Sequence, residues 1–205
     1  ATAVGTSGRD MLGITSAGDV SGELVVNSYE GDDSVKIDAG PSSGSIGMGG
    51  GADSVDFAAV TEKVNVTLGD SKDTFTTSSG VSDKITVGGQ GGADTFTFTA
   101  APTSSYFGGG QGKDTFTGTL GSKSTIVGGS EVDKINITGG SSNFVNGQVG
   151  KDDIDVVGAT SATVRGGSED DTVTITGSAA SMYLAGDNGA DAVVDGSGAN
   201  TLVGG

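Results

Sequence analysis

The sequence predicts an all-β chain, a right-handed parallel β-solenoid of about ten coils, each of about 20 residues with two short strands. Three observations predict it. One Asp recurs at near-constant spacing, apolar columns recur in step with it, and a glycine-rich turn precedes it on most repeats. The anchors are Asp10, Asp33, Asp53, Asp73, Asp94, Asp114, Asp133, Asp152, Asp171 and Asp191; after a first step of 23 residues they follow at 20, 20, 21, 20, 19, 19, 19 and 20. A period this regular marks a stack of like supersecondary units.

The strands come from the columns. Two residues after the anchors stand Leu12, Val35, Val55, Phe75, Phe96, Phe116, Ile135, Ile154, Val173 and Val193, apolar at every repeat. Four residues after stand Ile14, Ile37, Phe57, Thr77, Phe98, Gly118, Ile137, Val156, Ile175 and Asp195, apolar in seven of ten. Polar residues fall between the two columns, which is the period-2 pattern of a half-buried strand. Seven residues before the anchors lies a third apolar column, Val26, Ile46, Val66, Val87, Phe107, Ile126, Val145, Val164 and Leu184, which supplies the second strand. The glycine-rich turn joins the two strands on one edge, and Ser, Thr, Gly and Ala segments join coil to coil on the other. At roughly 4.8 Å per coil, ten coils make a rod of about 45 to 50 Å with a thin core. Phe75, Phe96 and Phe116 are expected to stack in register. No segment carries a helical period.

Composition narrows the function. Forty Gly, two Pro, no Cys, no His, no Trp and only 33% hydrophobic residues would suit disorder, and the periodicity argues against it. No linker, charge block or change of pattern divides the chain, so residues 1–205 read as one continuous array, expected to belong to a longer repeat protein. A net charge of −16 disfavours nucleic acid and anionic membranes and favours cations. Zinc lacks its usual His and Cys ligands. Catalysis would need a carboxylate pair or a Lys held in a pocket, and a thin roll filled by its own side chains has none, so no enzymatic role is expected. No apolar run is long enough to insert directly into a membrane.

The turn before Asp114 reads Gly109, Gly110, Gln111, Gly112, Lys113, Asp114, Thr115, Phe116, Thr117, and fits GGxGxDxUx at every defined position. In this it resembles the RTX family of calcium-binding β-roll repeats, as found in bacterial S-layer and adhesin-type secreted proteins. The resemblance implies an RTX-like β-roll with Ca2+ as its cofactor. It also implies metal ligands at Asp10, Asp33, Asp53, Asp94, Asp114, Asp152 and Asp191, with Gly109, Gly110 and Gly112 in the turn. Calcium wants six to eight oxygens, and glycine lets a turn aim its carbonyls at an ion. Ten turns offer up to nine gaps, and nine divalent ions would carry +18 against the −16 of the chain.

Some turns depart from the motif. Two residues before the anchor the chain has Gly8, Gly31, Gly51, Gly92, Gly112, Gly150 and Gly189, but Ser71, Glu131 and Glu169 precede Asp73, Asp133 and Asp171. At those three turns a left-handed non-glycine costs roughly 1 to 2 kcal/mol, or the turn differs. Before Asp94, Asp152 and Asp191 one more residue separates the leading glycine from the anchor, which predicts a bulge. The nonapeptide occurs once per coil, whereas RTX rolls carry it twice, so a one-sided calcium ladder is expected. The same Gly and Asp would also suit a metal-free Asx-type turn.

The expected role is a calcium-stabilised structural segment of a secreted, extracellular cell-surface protein of S-layer, sheath or adhesin type, self-associating into a lattice or fibre. Two alternatives remain open. One is a noncatalytic RTX module of a secreted enzyme. The other is a calcium-dependent ice-binding solenoid using the outward Thr95, Thr97, Thr99, Thr115, Thr117, Thr172, Thr174 and Thr176, a row that Lys84, Lys134, Asn136, Asp153 and Asp155 interrupt.

Overall fold

The computed structural model describes residues 2–15, 23–59, 61–80, 82–196 and 198–205. Successive strands alternate between two parallel sheets, one of eleven strands running from Thr2–Val4 to Thr201–Val203 and one of ten running from Met11–Ile14 to Ala192–Asp195. Each coil therefore gives one strand to each sheet, and the coils stack into a β-solenoid of about ten turns. No described residue is helical.

The apolar columns meet between the sheets. Phe96 lies level with Phe75 in the preceding coil and Phe116 in the next, and Phe107 lies level with Val87 and Ile126. Every residue of the column before the anchors is buried, and so is the column two residues after them, except Leu12 and Val193 in the outermost coils, which are partly exposed. The expected aromatic stack forms. Phe96 and Phe116 lie 4.5 Å apart and nearly parallel, Phe75 tilts against Phe96 at 6.3 Å, and Phe98 meets Phe107 across the core at 4.5 Å. Thr77 is fully buried where other coils have an apolar residue, and its hydroxyl donates to the Ala100 carbonyl at 2.6 Å.

On the anchor edge the first-sheet strand runs on into the glycine turn. In Tyr106–Gln111, Gly110 and Gln111 still pair with Gly129 and Ser130, while the pairing steps over Gly109 and Gly128. The turns before Asp94, Asp152 and Asp191 carry no extra residue, contrary to the bulge expected there: Gly88 is level with Gly108, Asn146 with Val127, and Ala185 with Arg165. The glycine pattern shifts while the backbone does not. Four residues before these anchors Gln90, Gln148 and Asp187 take the left-handed conformation (φ 79°, 82° and 71°) that Gly110 takes elsewhere. Ser71, Glu131 and Glu169 do the same two residues before theirs (φ 97°, 78° and 85°), so these turns match the one that holds Gly112 (φ 115°).

The opposite edge carries its own regular device. Lys63, Lys84, Ser104, Lys123, Ser142, Ser161 and Ser181 are left-handed there, with φ between 49° and 60°. Beside them, backbone N–H groups donate to side chains one coil on: Ser105 to Ser124 Oγ at 3.3 Å, Ser124 to Asn143 Oδ1 at 2.9 Å, and Met182 to Asn200 Oδ1 at 2.9 Å. Every acceptor in this column is electrically neutral.

The outward Thr rows on the second sheet are three coils long. Thr74, Thr95 and Thr115 are in register, as are Thr76, Thr97 and Thr117, and then Lys134, Asp153, Asn136 and Asp155 take their places. Lys84 lies at the opposite edge and not on this face.

Phe96 is fully buried, so Phe96→Ala is expected to cost about 3 to 5 kcal/mol. Its outward neighbour Thr97→Ala should stay within about 0.5 kcal/mol. Equilibrium denaturant unfolding checks both, and equal costs would reverse the facing assignment.

Candidate functional site

In the turns before Asp33 to Asp191, left-handed residues four and two places before the anchor swing the chain across the edge of the coil and bring the anchor Asp in with its side chain turned inward. Asp33, Asp53, Asp73, Asp94, Asp114, Asp133, Asp152 and Asp171 are at most 3% exposed, and Asp10 and Asp191 are half-buried. Each anchor N–H donates to Oδ1 of the anchor one coil on. Nine such bonds run unbroken from Asp10 to Asp191, all between 2.7 and 2.9 Å. All ten sequence-predicted anchors, including Asp73, Asp133 and Asp171, thus lie in one internal column.

The second oxygen of each carboxylate is the unusual feature. In the nine anchors from Asp33 to Asp191, Oδ2 is buried and accepts no hydrogen bond from any described residue. Room for it comes from a glycine five residues earlier. A Cβ on Gly89, Gly109, Gly128, Gly147, Gly166 or Gly186 would collide with Oδ2 of Asp94, Asp114, Asp133, Asp152, Asp171 or Asp191. The same Cβ position lies 2.7 Å from the Gly147 carbonyl oxygen for Gly128, 2.7 Å from that of Gly166 for Gly147, and 2.8 Å from that of Gly186 for Gly166. A carboxylate oxygen of one coil and a carbonyl oxygen of the next therefore converge beside a bare Cα.

Of the predicted turn glycines, Gly109 lies against the Asp114 carboxylate, whereas Gly110 and Gly112 press on the carbonyls of Gln90 and Gly92 in the preceding coil. Those two serve close approach of backbones. The glycines five before Asp94, Asp133, Asp152, Asp171 and Asp191 were missed by motif reading, although their recurrence at that offset is visible in the sequence.

Burial dominates the electrostatics. It pushes the Asp133 carboxyl up to about 8, those of Asp73, Asp94 and Asp114 to about 7, and those of Asp53, Asp152 and Asp171 to about 6. The N–H bond to Oδ1 opposes this in each case, and neighbouring carboxylates add to it. No Lys or Arg offsets the charge: the ion pairs among the described residues are Lys36–Asp38, Lys84–Asp83, Lys134–Asp153, Lys151–Asp170 and Arg165–Asp187, none on an anchor. No three acidic side chains converge on a point among the described residues. A cation here would be held by one carboxylate oxygen per coil with backbone carbonyls, a set of hard oxygens that fits calcium or magnesium better than a transition metal.

No family model matches the sequence, and no curated protein or solved structure matches it either.

These carboxyls bind protons more tightly folded than unfolded, so without a cation their contribution to stability is fully present below the unfolded pKa and is lost as pH rises through about 6 to 8. In chelator, the thermal midpoint is expected to fall as pH rises from about 5, until no folded state is left at neutral pH. Asp133→Asn, which keeps the Oδ1 acceptor, should make that drop shallower. A midpoint that climbs with pH would show that the carboxylates are neutralised by something else.

Proposed function

We propose that this chain is a calcium-stabilised structural repeat segment of a secreted bacterial cell-surface protein. One observation carries the reading: nine successive anchors hold a buried carboxylate oxygen that no protein donor satisfies. An Asn would supply the Oδ1 acceptor equally well and without charge. The chain uses Asn143, Asn200 and Ser124 for that task on the opposite edge. Asp at all ten anchor positions is therefore a choice for charge at a place where charge is costly. A divalent cation offsets it, and the net charge of −16 leaves ample demand for cations.

The hard-oxygen donors, the glycine turn and the resemblance to RTX repeats all favour Ca2+. Millimolar extracellular calcium saturates even weak sites, and ions that bind only the folded chain stabilise it by mass action. At low free calcium the buried carboxylates repel and the chain stays open. Folding on reaching the cell exterior follows, and a rod of repeated coils suits an S-layer, sheath or adhesin stalk.

Chelation is expected to abolish the β-type circular dichroism at neutral pH, and calcium should restore it. Asp114→Ala should lower the bound calcium by one or two ions per chain. A spectrum indifferent to chelator, together with no bound calcium, would remove the metal role.

A further inference from the structure

Five residues before the anchor, the chain does not always have glycine. Ser28, Met48 and Leu68 stand there before Asp33, Asp53 and Asp73. Met48 and Leu68 are fully buried and Ser28 nearly so, and each carries a Cβ at the position where later coils have a bare Cα. Ser28 goes further. Its hydroxyl donates to the Met48 carbonyl at 2.6 Å, occupying the oxygen that corresponds to the converging glycine carbonyl of later coils. Asp10 differs again: it has the bare Cα of Gly5 and the facing Ser28 carbonyl, but its Oδ2 already accepts the Thr6 N–H at 2.6 Å.

An oxygen pair beside a bare Cα whose Oδ2 has no donor occurs in the gaps that begin at Asp94, Asp114, Asp133, Asp152 and Asp171, where the partner carbonyls are those of Gly109, Gly128, Gly147, Gly166 and Gly186. In each of these gaps Oδ2 is buried and unpartnered. We infer that the calcium column is confined to these five gaps, and that Ser28, Met48 and Leu68 close it in the preceding coils. This rests on the calcium reading and sharpens it. The residue five before the anchor selects an ion-bearing coil, whereas the residue two before, being left-handed whether Gly, Ser or Glu, does not. Asp133 and Asp171 therefore bind although their turns break the motif, and Asp33 and Asp53 do not although theirs keep it. Five divalent ions add +10 to the −16 of the chain and leave −6, so the rod stays acidic when loaded.

The test is calcium counting on the full chain by equilibrium dialysis at millimolar calcium and pH 7.5, with circular dichroism confirming the fold of each variant. The wild type should hold about five ions. Asp114→Asn and Asp133→Asn should each lose one, and Asp53→Asn and Asp73→Asn should lose none. Asn keeps the Oδ1 acceptor, so the ladder survives in all four. Gly128→Ala, at a glycine that is not left-handed, should lose one ion, and Leu68→Gly should gain one if it folds. A wild-type count near nine, or a loss in Asp53→Asn or Asp73→Asn equal to that in Asp114→Asn, overturns the confinement while leaving calcium binding intact. No calcium bound to the wild type overturns the proposed function itself.

Discussion

Each coil of this protein passes one backbone N–H to a buried carboxylate in the next, and the rest of the structure is arranged around that bond. A hydrogen bond to a charged acceptor is worth roughly 1.5 to 3 kcal/mol, more than a neutral one, and nine of them in line tie every coil to its neighbour. The same carboxylate brings a second oxygen into the core with no donor. Leaving a buried charge uncompensated costs more than one good bond returns. An uncancelled charge therefore works against the ladder, and a proton or a cation on the carboxylate would relieve it. The upward displacement of the Asp94, Asp114 and Asp133 carboxyls expresses that balance.

The two edges of the solenoid make the contrast inside one molecule. Both carry left-handed residues at fixed offsets, and both pass backbone N–H groups to a side chain one coil on. One edge uses Ser and Asn and needs nothing further. The other uses Asp at every coil and couples the stack to its surroundings. In a quasi-one-dimensional fold each coil touches only its neighbours, so an interaction repeated at every interface acts on the whole rod. Few large side chains pack each coil, which leaves a single charge per interface with unusual leverage.

Period and columns were legible in the sequence because they are apolar and strictly spaced: Phe96 and Phe107 could be placed facing the core from their offsets alone. Turn length was not. Gln90, Gln148 and Asp187 adopt backbone angles usually left to glycine, so counting from glycines gave an extra residue where the coil has none. The Asp column was visible, but its inward direction and its N–H partners were not, since a carboxylate in a turn reads equally as a surface group. The opposite-edge ladder stayed hidden because Ser124, Asn143 and Met182 share no residue type. What unites them is a position relative to a left-handed residue, and Ser or Lys in that conformation leaves no trace in sequence.

Non-glycine residues with left-handed backbones carry a local cost, and fourteen described residues take it on. Such strain persists only where the surroundings over-determine the conformation. Here they do. Glu131 sits between the strand that ends at Ser130 and the Asp133 N–H bound to Asp152 Oδ1, so its φ is fixed from both sides by pairing with adjacent coils. A change in the charge of the carboxylate acts on those restraints together, because the bond that fixes the turn ends on it. Turn geometry and charge state are therefore one variable in this chain.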